Sequence, residues 1–180
     1  ITDHGSLASH REMQIAAKEL GMKPILGLEA YISSTDRFDK RAVSKREDNT
    51  SLYNHIILLA KNDIGLKNLQ KLSQIAWTEG FYRKPRIDFE VLDKYREGLV
   101  VSSACLGGVI AKAIELGEFA EAKRHLGWFK EIIGDDFYVE VMPHNPPEIN
   151  KMILELADEF GIKPITTPDC HHADPSQKEI

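Results

Sequence analysis

The chain has 180 residues and a formal net charge of −5; 42% of its residues are hydrophobic and 28% are charged. This composition is ordinary for a folded domain and excludes bulk disorder, and a chain of this length needs no disulfide staples. No apolar run approaches about 18 residues, which excludes a membrane-spanning helix. The acidic balance argues against a dedicated basic nucleic-acid-binding module, but not against a carboxylate-rich metal site that acts on nucleic acid.

The cysteine content indicates the cellular compartment, and the chain ends indicate the domain organisation. Two cysteines, Cys105 and Cys170, cannot form a disulfide scaffold, so we expect a reducing compartment, the cytoplasm. The chain opens on Ile1 without a Met or a signal-peptide pattern, and it stops at Ile180 in a polar segment. We therefore expect residues 1–180 to be a single domain cut from a longer protein.

Helical and strand patterns alternate along the chain. The predicted elements are a helix at 6–20, a strand at 23–32, a charged surface loop at 35–54, a strand at 55–60, a helix at 64–79, a basic aromatic loop at 80–86, a helix at 88–95, a strand at 98–103, helices at 109–116 and 118–133, a strand at 137–141, a helix at 147–160 and a strand at 163–167. Such alternation predicts an α/β fold with a parallel sheet. Five units, with a sixth strand implied at Ile1, favour a barrel over an open sheet.

Metal-ligating residue types follow or flank the predicted strands. They are Asp3, His4, Glu29, Cys105, His144, Asp169, Cys170, His171 and His172, while His55 stands at the start of its strand as the exception. The carboxyl rim of an α/β barrel is where such groups meet. Imidazole and carboxylate suit zinc, manganese or iron, and a thiolate favours zinc. The pattern predicts a cluster of two or three ions able to hydrolyse a phosphoester.

A short internal sequence repeat supports this pattern. Residues 19–25 match residues 159–165, and in both copies an acid, Glu29 or Asp169, stands five residues after the proline. Single residues also have structural explanations that remain open. These are a helix cap for Asp3 and His4, a buried small side chain for Cys105, a core histidine for His55 and a loop residue for His144.

Five sequence blocks, in order, resemble a known family. They are Thr2-Asp3-His4-Gly5, residues 23–31, residues 79–86, residues 102–108 and Asp169-Cys170-His171. Together they resemble the polymerase and histidinol phosphatase (PHP) domain, in the version found at the N-terminus of bacterial C-family replicative polymerases, the DNA polymerase III alpha subunits. The resemblance covers nearly the whole chain. It implies a distorted, TIM-like seven-stranded βα barrel, here incomplete at both ends.

The resemblance also implies a site. The metal ligands would be His4, Glu29, His55, Cys105, Asp169 and His171, with Asp3 and His144 as catalytic neighbours. The family's His-x-His motif and a further acidic ligand would precede Ile1. Arg83, Lys84 and Arg86, with the charged segment 37–46, would hold the DNA backbone through salt-sensitive contacts.

Three functions remain open on this resemblance. Family members with the full cluster act as metal-dependent 3′–5′ proofreading exonucleases, and the six ligands present here favour that activity on a DNA primer 3′ end. Members that have lost ligands serve as scaffolds that stabilise the polymerase or dock a proofreading subunit. A free-standing phosphoesterase is the third. DNA-directed polymerisation would belong to the parent chain, with other replisome subunits as partners and no membrane.

Overall fold

The computed structural model describes residues 1–41, 52–172, 174 and 176. Its helices are α1 (His10–Glu19), α2 (Asp63–Thr78), α3 (Phe89–Lys94), α4 (Val109–Glu115), α5 (Phe119–Ile132) and α6 (Pro147–Phe160). Its strands are β1 (Gly27–Ser33), β2 (Tyr53–Ala60), β3 (Arg86–Ile87), β4 (Leu99–Ser102), β5 (Phe137–Val141) and β6 (Lys163–Thr166). The mixed α/β class expected from the sequence is confirmed.

The six strands form one sheet in the order β3-β1-β2-β4-β5-β6. Strand β2 runs antiparallel to both of its neighbours, β1 and β4, whereas the other pairs are parallel. The expectation of a wholly parallel sheet is therefore wrong at β2. Within the described part of the chain, no pairing joins β6 to β3, so the expected seven-stranded barrel is not confirmed.

An antiparallel β2 does not need a helix in the connection that precedes it. Parallel neighbours need a crossover, usually a helix, whereas antiparallel neighbours need only a loop. Residues 34–41 form no helix, and the rest of the expected charged loop lies outside the described residues up to Leu52. The last two residues of that expected loop, Tyr53 and Asn54, belong to β2.

Helix boundaries agree with the sequence to within a few residues because the capping signals are local. The side chain of Asn62 accepts a hydrogen bond from the Gly65 amide at the start of α2, and Asp88 does the same for Val91 at the start of α3. Gly161 ends α6 in the left-handed conformation, with φ of 61°. Helix α1 is shorter than expected, since it begins only at His10.

The hydrophobic core lies between the sheet and the helices. Helix α2 packs on β2 and β3, while α4, α5 and α6 pack on one another and α6 also packs on β5. At the centre the rings of Phe129 and Phe137 are stacked, with centroids 4.5 Å apart. Within the described residues, no helix combines the length and apolar character needed to cross a membrane.

Candidate metal centre

A cavity of about 540 Å³ lies where β4, β5 and β6 end, beside the middle of β1. Most of the chemically distinctive side chains expected from the sequence line it, namely Asp3, His4, Glu29, Cys105, Asp169, Cys170 and His171. His55 does not line this cavity but contacts two residues that do. Groups that are far apart in the chain are therefore brought to one place.

The centre of the group is the buried carboxylate of Glu29, which is 5% exposed. Its Oε1 lies 2.7 Å from Nδ1 of His55 and 3.5 Å from Nδ1 of His4. One ligand atom from each of the three residues lies within 4.8 Å of the others. Ligands held at about 2.0–2.2 Å around a tetrahedral zinc ion are roughly 3.3–3.6 Å apart. The donor chemistry therefore fits a divalent cation, and the His4–Glu29 distance falls in this range, whereas Glu29 and His55 are at hydrogen-bond distance and would have to move apart by about 0.6 Å or more to share an ion.

Backbone pairing positions these three side chains. The amide of Gly5 donates to the Glu29 carbonyl (2.9 Å), and the Glu29 amide donates to the Asp3 carbonyl (3.1 Å), which fixes His4 beside β1. Across the sheet, His55 pairs with Tyr31, two residues from Glu29. Because side chains alternate with a period of two, Glu29 and His55 share one face of the sheet.

Cys105 joins the group through His55, since its Sγ lies 3.7 Å from His55 Nδ1. The loop is tightly folded: Ala104 has a φ of 61°, a conformation costly for a residue with a side chain. The contacts with the Cys105 thiol and the Glu29 carboxylate raise the pKa of His55 to about 9. The ring is therefore protonated at neutral pH in the metal-free protein, and a bound cation would have to displace that proton.

His171 approaches from the segment after β6. Its Nε2 lies 3.3 Å from Nε2 of His4. Its Nδ1 donates to the Asp169 carbonyl (2.9 Å), which leaves Nε2 as the nitrogen available to a cation. The same carbonyl and the Asp169 carboxylate raise the pKa of His171. Asp169, like Ala104, adopts a positive φ, here 50°.

The two expected catalytic residues lie in different places. The Asp3 carboxylate lines the cavity and accepts hydrogen bonds from the amide and hydroxyl of Ser9, the residue just before α1. His144 lies exposed in the turn after β5 and is not among the residues that line the cavity. The geometry therefore gives no support to a catalytic role for His144.

The basic residues of the expected DNA-binding loop differ in their exposure to solvent. Arg83 and Lys84 are exposed, whereas Arg86 is fully buried. The Arg86 guanidinium donates to the carbonyl oxygens of Gly80 (3.0 Å) and Arg37 (3.1 Å). The DNA contact expected for Arg86 is therefore replaced by a structural role, in which a charged side chain holds the loop from inside.

A second buried carboxylate, Glu140 of β5, was missed by the sequence reasoning. It is 4% exposed and lines the cavity. Its Oε1 accepts from the Ser102 hydroxyl (2.5 Å) and its Oε2 accepts from the Thr167 hydroxyl. A glutamate within the otherwise apolar run Phe137–Val141 was the available signal, the same one that singled out Glu29. Since Thr167 precedes Asp169 by two residues, Glu140 orients the segment that carries Asp169 and His171.

We expect Glu140→Gln to weaken divalent-cation binding by about 10- to 100-fold, because residues that orient metal ligands have effects of that size. Thr167→Val should have a similar effect, and Thr167→Ser, which keeps the hydroxyl, should bind as the wild type does. Isothermal titration with Zn²⁺ or Mn²⁺ measures this, with Glu155→Gln on the exposed face of α6 as the control. Equal affinities for Thr167→Val and Thr167→Ser would contradict the role given to Glu140.

The fold and the cavity define a class: an α/β domain with a candidate cation site of histidine and carboxylate groups, and a thiol in contact with one of them, beside a cavity at one edge of its sheet. Comparison with known families identifies the member of this class. Residues 1–144 match the PHP domain, and the chain belongs to that family.

Similar proteins share one description. The chain is 43% identical to DNA polymerase III subunit alpha of Aquifex aeolicus, over 99% of the chain and 16% of that relative. It is 41% identical to DNA polymerase III subunit alpha of Borreliella burgdorferi, over 96% of the chain and 15% of the relative. The Thermus aquaticus protein of the same description is 37% identical, over 96% of the chain and 14% of the relative. The chain thus spans about one sixth of the length of these relatives.

Proposed function

We propose that this chain is the PHP domain of a bacterial replicative DNA polymerase alpha subunit and that its cavity hydrolyses phosphodiesters at DNA 3′ ends. The observation that carries the proposal is the convergence of His4, Glu29, Cys105 and His171 on one cavity, with His55 in contact with Glu29 and Cys105. The parent protein would polymerise DNA in the cytoplasm with other replisome subunits. This domain would act as a metal-dependent 3′–5′ exonuclease on mispaired primer ends.

Each side chain has a distinct task in this proposal. Glu29 and His55, with His4, would hold one divalent cation, and His171 with Asp169 would extend the site on the other side of the His4 ring. Bound divalent cations of this kind supply Lewis acidity and an activated water for phosphoester hydrolysis. Zinc, manganese and iron all suit the donor set, and the Cys105 thiol favours zinc.

The test is release of 3′ nucleotides from a labelled mispaired primer by the full-length protein. We expect release that requires a divalent metal and falls by at least about 100-fold in His4→Ala and Asp169→Ala, as the loss of a group central to catalysis does. Asp158→Ala, an exposed acid on α6, is the matched control and should keep full activity. Activity that persists unchanged in both site variants would refute the proposal.

The scaffold alternative gives a different result in the same experiment. In that case chelation would lower the thermal unfolding temperature, while no metal would support nucleotide release. A free-standing phosphoesterase would instead hydrolyse small phosphate esters and leave the primer intact. Measuring unfolding, primer hydrolysis and small-ester hydrolysis on one preparation separates the three functions.

A further inference from the structure

Two aromatic side chains form an exposed stacked pair beside the candidate metal centre. Trp77, in the last turn of α2, is 52% exposed and Phe81, in the loop after it, is 45% exposed. Their ring centroids are 5.4 Å apart and the planes meet at 17°. The pair therefore presents flat aromatic surface to solvent instead of to the core.

The pair is tied directly to the candidate metal centre. Nε1 of Trp77 donates to the carbonyl of Gly5 (2.9 Å), the residue that follows His4. Gly5 in turn packs so closely against Pro85 and Tyr31 that an added Cβ would lie 2.8 and 2.9 Å from their side chains. The orientation of the indole is therefore fixed relative to the His4 side of the cavity.

Two exposed cations, Arg83 and Lys84, follow Phe81 in the same loop. The loop that carries Phe81, Arg83 and Lys84 is held from inside by Arg86, which bonds to the Gly80 carbonyl. Lys84 Nζ lies 5.3 Å from the centroid of the Tyr31 ring, and that ring stacks on His4. The loop that carries Phe81 thus also carries positive charge, and one of its cations, Lys84, lies over the Tyr31 ring beside His4.

We propose that Trp77, Phe81, Arg83 and Lys84 form a binding surface for the unpaired end of a single-stranded nucleic acid. A base stacks on the aromatic pair, and the phosphates beside it contact the two cations. The inference rests on the proposed phosphodiesterase function and names the part of the substrate that the chain binds, the unpaired end of the strand. The two cations, which stand two and three residues after Phe81, favour a polyanion with aromatic bases over a protein partner.

Fluorescence provides a direct test, because residues 1–180 contain two tryptophans and Trp128→Phe in this segment leaves Trp77 as its only tryptophan. This variant, kept metal-free in chelator so that nothing is hydrolysed, is titrated with oligo(dT) and with an abasic oligonucleotide of equal length. We expect oligo(dT) to quench Trp77 emission, with an affinity about tenfold or more above that for the abasic strand and decreasing with salt. Absence of quenching, or equal affinity for both strands, overturns the proposal.

Variants separate the ring from its hydrogen bond. Trp77→Leu and Phe81→Leu should each lower affinity for labelled oligo(dT) by about tenfold, measured by fluorescence anisotropy. Trp77→Phe loses the bond to Gly5 but keeps a ring, so it should retain most of the affinity. Phe119→Leu, which removes an exposed ring at the start of α5, should have no effect. Equal losses in Trp77→Phe and Trp77→Leu would overturn the stacking role.

The two proposals fail in different ways. A chain that binds oligo(dT) through Trp77 but releases no nucleotides with any metal disproves the exonuclease and keeps the nucleic-acid surface. A chain that releases nucleotides, yet binds oligo(dT) and the abasic strand equally, keeps the exonuclease and disproves the surface.

Discussion

Glu29→Gln is expected to weaken divalent-cation binding by more than about 100-fold, beyond the range for residues that only orient ligands. The substitution preserves the shape of the side chain and removes the charge that stands between His4 and His55. Titration with Zn²⁺ or Mn²⁺ against a competing chelator measures the loss. Glu148→Gln, an exposed glutamate at the start of α6, is the matched control. Wild-type affinity in Glu29→Gln would rule out a cation bound at this carboxylate.

The same variant has a pH signature in the metal-free protein. Cys105 and Glu29 raise the pKa of His55 from 6.5 to about 9, so their stabilising effect is complete below pH 6.5 and is lost as the pH rises through 9. Glu29→Gln should therefore be less stable than the wild type at pH 6, with a smaller difference above pH 9. Urea unfolding at both values measures this, and a difference that grows with pH would contradict the ion pair.

The sequence was informative where the controlling signals are local. Capping residues and apolar periodicity gave α6 and β5 with the bounds that the structure shows. The repeat of residues 19–25 at 159–165 also has a structural counterpart. Gly21 and Gly161 both adopt positive φ. The acids that follow them, Glu29 and Asp169, line one cavity. Local rules suffice for these features because each depends on a few neighbouring residues.

The direction of β2 is a non-local property that residue patterns did not supply. His55 stands at the start of its strand and was expected to be the exception among groups at strand ends. Because β2 runs antiparallel to β1, the start of β2 lies beside the end of β1, which brings His55 within 2.7 Å of Glu29. The long connection without a helical pattern was the available signal, since a parallel neighbour requires a crossover.

The composition of a charged segment likewise does not show which of its side chains is buried. Arg83, Lys84 and Arg86 stand close together in the sequence, but only Arg86 belongs to the sheet, in the two-residue strand β3. That strand is too short to produce a readable alternation, so nothing in the pattern distinguished the buried arginine from its exposed neighbours. Long-range pairing with β1 decides the difference.

Gly65→Ala is expected to destabilise the fold by at least about 3 kcal/mol, at or beyond the upper end of ordinary overpacking. A Cβ at this position in α2 would lie 1.9 Å from the carbonyl oxygen of Gly98. This backbone atom is held in place because it also accepts a hydrogen bond from the Lys61 amide. Helix propensity alone predicts the opposite sign, since alanine is favoured over glycine within a helix by about 0.5–1 kcal/mol.

Gly127→Ala in α5 measures the effect of helix propensity without overpacking. The added Cβ would contact only the Phe160 ring, at an ordinary 3.5 Å. We therefore expect the two substitutions to change the free energy of unfolding in opposite directions, Gly127→Ala upward and Gly65→Ala downward, in urea titrations followed by circular dichroism. A Gly65→Ala protein as stable as the wild type would mean that α2 does not pack against residue 98 as closely as the structure shows. The placement of Trp77 at the other end of the same helix would then be in question too.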